Sequence, residues 1–160
     1  MVSGFRQSQQ AQSRARPVYQ TPAQVSLREA LVGLTFDTGA LIGLERSRHL
    51  MRKVYDVAVN HEVRITVPSV VVAEWWRAGE KEKDRARILR SVVVEPPSDF
   101  VARLAGVALT FARRAQTIDA LVMASASQRP NEIVYTSDPE DLQMLRDSVP
   151  QFKSVRIQRV

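Results

Sequence analysis

The chain predicts an α/β domain: a mostly parallel sheet of four to five short strands covered by helices on both faces. Three observations carry that expectation. Short β-like runs alternate with helical stretches from Leu34 to the last residues, and parallel strands need such long crossovers. No internal repeat appears, which leaves one continuous alternation rather than an array. The 160 residues and 44% hydrophobic content suit one globular unit with a core of its own.

The elements follow in order. The run "LTF" at 34–36 leads into the helical stretch "ALIGLERSRHLMRKVYDVAVNH" at 40–61 and then into "VRITVP" at 63–68, closed by Pro68, so the domain opens as a β–α–β unit. Next, "SVVVAEWWRAG" at 69–79 and the charge-alternating "KEKDRARILR" at 81–90 read as a helical pair that carries the chain to a third strand, "SVVVEP". The segment "SDFVARLAGVALTFARR" at 98–114 is the clearest amphipathic helix. Ser98 is its candidate N-cap, and Phe100, Leu104, Val107 and Phe111 recur at helical spacing, a stripe of the kind that faces a core. A helix "TIDALVMASASQ", a strand "EIVYTS", a helix "DPEDLQMLRDSV" and a short strand "KSVRIQ" complete the chain.

Composition restricts the chemistry. Lys and Arg number 23 against 17 Asp and Glu, a net charge of +6 that favours a polyanionic partner. Residues 1–33, rich in Gln, Ser, Ala and Arg, hold four Arg and one Glu and read as a basic disordered arm, with the folded domain expected over 34–160. There is no Cys. That excludes disulfides, a thiolate metal site and a Cys nucleophile. No window approaches the roughly 18 to 20 apolar residues of a membrane helix, and the N-terminus lacks a signal-peptide core, so the expected location is cytoplasmic.

The candidate site is acidic. Asp37 ends the first strand and Asp138 follows the fourth, so both belong at the carboxyl edge of the sheet, where ligands bind in open parallel sheets. Glu74 lies one turn beyond Val70 and Val71, and Asp119 shares a helical stripe with Val122, Met123 and Ala126. Each has a structural alternative. Asp138 precedes Pro139 as an N-cap would, Asp119 complements a helix start, Glu74 can pair with Arg77, and Asp37 can cap the helix opening at Thr38. Taken jointly, four separate segments each bring a carboxylate to one edge without an equal supply of Lys or Arg. An acid on an apolar face must be protonated, paired or bound to a cation. A carboxylate cluster without Cys or nearby His suits Mg²⁺ or Mn²⁺. Such a cation activates water and stabilises an in-line phosphoryl displacement, which makes phosphodiester hydrolysis the natural chemistry.

The stretches "FDTGALIGLE", "VVVAEWWR", "TIDALVMASA" and "VYTSDPEDLQML" resemble the acidic motifs of PIN-domain ribonucleases, in particular the VapC-like toxins of toxin–antitoxin pairs. The resemblance spans about residues 34–160. It implies a PIN-like three-layer α/β/α sandwich, a Mg²⁺- or Mn²⁺-dependent endoribonuclease, and an antitoxin protein as partner. By motif position it makes Asp37, Glu74, Asp119 and Asp138 the catalytic, metal-binding quartet, with Thr136 and Ser137 as polar support. The arm before Leu34 and the tandem Trp75 and Trp76 depart from the family's compact pattern.

Arg46, Arg48, Arg52 and Lys53 after the first motif, and Arg113 and Arg114 before the third, are candidate RNA phosphate contacts; the alternative for each is a solvated helix face. A homodimer is expected, with dimer or antitoxin contacts on the helices near 50–60 and 70–90. Trp75 and Trp76 fit core or interface packing better than base stacking. The competing reading of another class is a catalytically inactive PIN-like RNA-binding or assembly module whose carboxylates only cap helices. A receiver-type phosphoacceptor domain would want an Asp where the third strand ends in Glu95-Pro96. Metal-free hydrolysis by His49 and His61 needs both imidazoles at one phosphate.

Overall fold

The computed structural model describes residues 32–112 and 115–160. Residues 1–31, which include most of the expected basic arm, and the pair Arg113 and Arg114 lie outside the described residues. Five strands, β1 (Leu34–Phe36), β2 (Ile65–Pro68), β3 (Val93–Glu95), β4 (Ile133–Thr136) and β5 (Arg156–Arg159), form one sheet in the order β3-β2-β1-β4-β5. Every pairing is parallel.

Seven helices connect them: α1 (Thr38–Glu45), α2 (His49–Asn60), α3 (Ser69–Trp75), α4 (Glu82–Arg90), α5 (Asp99–Phe111), α6 (Thr117–Ala126) and α7 (Pro139–Ser148), with a 3-10 turn at Pro150–Phe152 before β5. The chain steps from β1 through β2 to β3 in one direction across the sheet, then crosses back to β4 and continues to β5. Right-handed crossovers therefore place α1 to α4 on one face and α5 to α7 on the other, giving three layers. The direction reverses between β1 and β4, and a parallel sheet opens a crevice at such a switch point. Asp37 and Asp138 stand beside it.

The core is centred on two interior strands, β1 and β2. All three residues of β1 and all four of β2 are buried. Phe36 meets Tyr135 edge-on on the neighbouring strand, their ring centres 5.8 Å apart. Among the described residues no helix is long and apolar enough to cross a membrane.

Two expectations need correction. The stretch 40–61 is two helices, not one. The Ser47 N–H donates to the Leu44 carbonyl (3.0 Å) and the Arg48 N–H to the Gly43 carbonyl (2.9 Å), with Ser47 in the left-handed region at φ 52°. This is the Schellman closure of α1, with Ser where Gly is usual. The second correction concerns α5. Its core face is Val101, Ala105 and Ala108, whereas Phe100, Val107 and Phe111 of the expected stripe are exposed. Small residues let α5 lie close to α6, and the larger apolar side chains are turned outward.

Candidate metal centre

Asp37 sits at the turn from β1 into α1. Its backbone N–H donates to the Tyr135 carbonyl (3.2 Å), which ties it to β4, and its Oδ1 accepts from the Ala40 N–H (2.8 Å) as the N-cap of α1. The capping alternative is therefore realised, and it uses one of two carboxylate oxygens. Burial pushes the Asp37 carboxyl up to about 6; hydrogen bonds from the Thr136 hydroxyl and from Ala40 pull it down, and nearby Asp119 pushes it up again.

Asp119 lies in the first turn of α6 and accepts a hydrogen bond from the Gln116 backbone N–H. Gln116 is the N-cap, so this is an acid reaching back as in a capping box. Burial raises this carboxyl also to about 6, helped by the negative charges of Asp141, Glu74 and Asp138. Four carboxylates from α3, α6 and α7 thus share one field around Asp119.

Glu74 projects from the exposed end of α3 and accepts a hydrogen bond from the Thr38 hydroxyl on α1. The pairing with Arg77 does not form. That guanidinium donates instead to the carbonyls of Trp76 (2.6 Å) and Ala73 (3.5 Å). Asp138 occupies the N-cap position of α7 but its side chain makes no capping bond, so its carboxylate is left open to solvent. Its backbone N–H donates to Thr136 Oγ1 (3.0 Å). Thr136 is buried, and its hydroxyl joins Asp37 to the Asp138 loop. Ser137 packs against α1 at Gly39, where an added Cβ would come within 2.7 Å of the Ser137 backbone nitrogen.

Among the described residues, Asp37, Glu74, Asp119, Asp138 and Asp141 form no ion pair with Lys or Arg. Of the other acids, Glu45 is held by Arg85 and Lys81, Glu95 by Arg64 and Arg129, Glu132 by Arg129, and Glu140 by Arg159, whereas the exposed Glu62, Glu80 and Glu82 likewise form no ion pair among the described residues. Three or more acids in one field without a counterion fit a divalent cation as the missing charge. The fit has a stated form. No group of three His, Asp or Glu among the described residues is drawn together as a closed ligand set. A hard ion that keeps several waters and takes only one or two carboxylates directly suits such an open edge, whereas a tight structural site does not.

Asp141 reads in the sequence as a helix-start charge outside the quartet, one of two acids in the first turn of α7. In the fold its negative charge also raises the Asp119 carboxyl, ahead of Glu74 and Asp138. Its spacing three residues after Asp138, on the same helix start, was the available signal.

The basic residues fall in two places. Arg46 and Arg48 are exposed at the far end of α1, roughly 12 Å along the helix from Asp37 at 1.5 Å per residue, and Arg52 pairs with Asp56 (3.5 Å). Lys53 is likewise exposed on α2. None of these is brought to the acidic edge, and Arg113 and Arg114 lie outside the described residues. Arg159 does reach that edge. It is in register with Thr136 and its guanidinium donates to the Ser137 carbonyl (3.5 Å) and to Glu140. The two Trp part company. Trp75 is buried, donates from Nε1 to Glu45 (2.9 Å) and lies under the Arg85 guanidinium at 5.6 Å. Trp76 lines an open groove with Glu80, Glu82 and Lys83.

No family model matches the sequence. No curated protein matches it either. Solved structures do match. A chain of the DNA-bound VapBC structure from Salmonella typhimurium superposes with a TM-score of 0.58 at 13% identity, over 81% of this chain and 98% of that one. A chain of the VapBC2 structure from Rickettsia felis, bound to a promoter DNA fragment, gives 0.60 at 12% identity, over 81% and 99%. A chain of FitAcB from Neisseria gonorrhoeae gives 0.56 at 17% identity, over 78% and 95%. At such identities the likeness is one of fold, and it agrees with the five-stranded parallel sheet: the chain folds as a PIN-like three-layer α/β/α sandwich, the fold it shares with chains of these VapBC and FitAcB complexes.

Proposed function

We propose that the protein is a Mg²⁺- or Mn²⁺-dependent endoribonuclease and the toxin of a toxin–antitoxin pair. The observation that carries the reading is the set of carboxylates gathered at the switch point without a Lys or Arg counterion among the described residues. Asp37, Glu74, Asp119 and Asp138 would hold the ion, with Asp141 adding its charge to the same field. When bound, a divalent cation supplies acidified water for in-line attack on phosphorus and positive charge against the leaving oxygen. The chain's own residues set the stage for it. Ala40 N–H and Thr136 fix one face of Asp37, Gln116 N–H fixes Asp119, and Thr38 aims Glu74 inward. Asp37 and Asp119, both raised to about 6, are ionised at neutral pH and ready to accept a cation. Arg159, which reaches the acidic edge, is the proposed contact for a neighbouring RNA phosphate.

The toxin role and an antitoxin partner are supported by the likeness to chains of VapBC and FitAcB complexes. Cleavage of a pooled RNA substrate with EDTA, Mg²⁺ or Mn²⁺, by the natural chain and by Asp119→Asn, tests the reading. Cation-dependent cleavage that falls by orders of magnitude in the variant is expected. An inactive RNA-binding or assembly module is the second reading, favoured by the lack of a closed three-ligand set among the described residues. That reading predicts no cleavage with either ion and no stabilisation by them.

A further inference from the structure

Helix α3, which carries Glu74, is weak by its own means. It has seven residues, against the roughly 12 to 15 that a free helix needs, and three of them, Val70, Val71 and Val72, are β-branched. Its N-cap is Pro68, whose side chain offers no hydrogen-bonding group. At the other end the Trp76 N–H donates to the Val72 carbonyl (2.7 Å), and the next helix starts only at Glu82. Glu74 is exposed in this last turn, and a last turn frays unless something outside the helix holds it.

The hold is on the next residue. Trp75 is buried, and its Nε1 donates to Glu45 at the end of α1 (2.9 Å). The same carboxylate accepts from Nε and Nη2 of Arg85 on α4 (2.9 and 3.2 Å) and lies 3.3 Å from the Lys81 ammonium. Arg85 also covers the Trp75 ring and donates from Nη1 to the Arg77 carbonyl (2.5 Å), which ties down the chain beyond α3. The side chains of Glu45 and Arg85 are only 8% and 13% exposed. We propose that Glu45 and Arg85 are positioning residues of the acidic edge: they fasten Trp75 between α1 and α4, and so keep Glu74 against Thr38, where it can meet a cation. This rests on the metal reading of that edge.

The geometry explains why one carboxylate can act through its neighbour. Helix α1 grips α3 twice, through Thr38 on Glu74 and through Glu45 on Trp75. The two grips lie about 10 Å apart along α1, and they take adjacent residues whose side chains diverge by about 100° around α3. A helix held in this way neither rolls nor slides. The energetics agree. A buried ion pair adds little net stability, and apolar residues of similar volume often replace one without loss. Stability alone therefore does not account for a buried Glu45 with Arg85 in place of two apolar side chains, whereas directional bonds to Trp75 do.

The test uses the full chain, with Mn²⁺ affinity measured by electron paramagnetic resonance and amide exchange measured by NMR in EDTA. Trp75→Phe keeps a ring in the core and removes the N–H, and Glu45→Met with Arg85→Met makes the buried pair apolar. Both variants should stay folded, with the Trp76 amide exchanging at least about tenfold faster while the strands keep their protection. Mn²⁺ affinity should fall about tenfold, and in the Glu74→Gln background the same substitutions should change it by less than about twofold, because positioning acts only through Glu74. An unchanged Trp76 amide, or a loss of Mn²⁺ affinity as large without Glu74 as with it, would overturn the inference. Should the double variant melt early, Trp75→Phe carries the test. A natural chain that takes up no Mn²⁺ would sink the metal reading instead; faster exchange confined to the end of α3 would then still uphold the clamp, and uniform protection would end it.

Discussion

The clearest physical signature of the acidic edge is a stability that depends on pH with an unusual sign. Asp37 and Asp119 hold their protons up to about 6 in the folded chain, against an ordinary value of 3.8. Between those values the folded state binds more protons than the unfolded one, so stability falls as pH rises. The contribution is fully present below about pH 4 and is lost as pH passes through about 6. At about 1.4 kcal/mol per tenfold change in proton affinity, the displacement of Asp37 amounts to about 3 kcal/mol. Asp119 keeps more contact with water, and screening reduces its share. Paired acids pull the other way: hydrogen bonds from Arg85 hold Glu45 below its usual range, and its contribution is lost on acidification. The comparison therefore has to be made against a variant. Urea unfolding of the natural chain and Asp119→Asn, in EDTA at about pH 5 and about pH 7.5, isolates the effect. The natural chain should lose stability relative to the variant as pH rises, by about 1 to 2 kcal/mol after screening. Saturating Mg²⁺ should restore about 2.7 kcal/mol to the natural chain at a hundredfold excess over its dissociation constant, and less to the variant. Parallel pH dependences in EDTA would show that Asp119 is well solvated, and the argument for an uncompensated site would fail with it.

Asp141→Asn should lower cation affinity and cleavage measurably, by more than the loss of a helix-terminal charge, worth about 0.3 to 1 kcal/mol, would suggest; unchanged Mg²⁺ titration would return Asp141 to the role of a first-turn acid. Gly39→Ala should cost roughly 1 to 3 kcal/mol by chemical denaturation, because its Cβ would be driven toward the Ser137 backbone and would displace the Asp138 loop. Arg129→Met should cost about 3 to 5 kcal/mol, since it leaves Glu132 buried and unpaired, whereas replacing both residues by apolar ones should recover much of that loss.

What was legible in the sequence was whatever periodicity and strand-end position encode. Strand order cannot be read from a chain, but the alternation of short strands with helices was enough to send Asp37 and Asp138 to the same edge, and the parallel register then aligned them. The break at Ser47 was not legible, because its left-handed turn is made without the Gly that usually marks one. The orientation of α5 was misread for a related reason. Hydrophobic periodicity finds an apolar stripe but does not say what covers it, and the face that packs inward is the quieter one of Val101, Ala105 and Ala108. Asp141 reads as a helix-start charge, and only the packing of α7 beside α6 shows that its charge also acts on Asp119.

The two ends of the same elements differ in how their charges are balanced. Strand β4 is preceded by Glu132, which is almost fully buried, accepts from the Thr35 hydroxyl (2.6 Å) and pairs with Arg129 (3.3 Å). Arg129 in turn binds Glu95 (2.7 Å), and Glu95 binds Arg64 (3.0 Å), so the charges there alternate in sign. The same strand leads at its other end to Asp138, which has no basic partner among the described residues. Helix α6 repeats the asymmetry, with Asp119 at its start forming no ion pair among the described residues and paired Arg129 just past its end. A chain with 23 Lys and Arg does not lack cations to place there. Among the described residues they neutralise acids such as Glu45, Glu95 and Glu132 and form no ion pair at the switch point, an arrangement that costs stability in the absence of a cation. Proteins tolerate such a cost where the repulsive group does the chemistry, which is the ground on which a divalent cation is proposed for this edge.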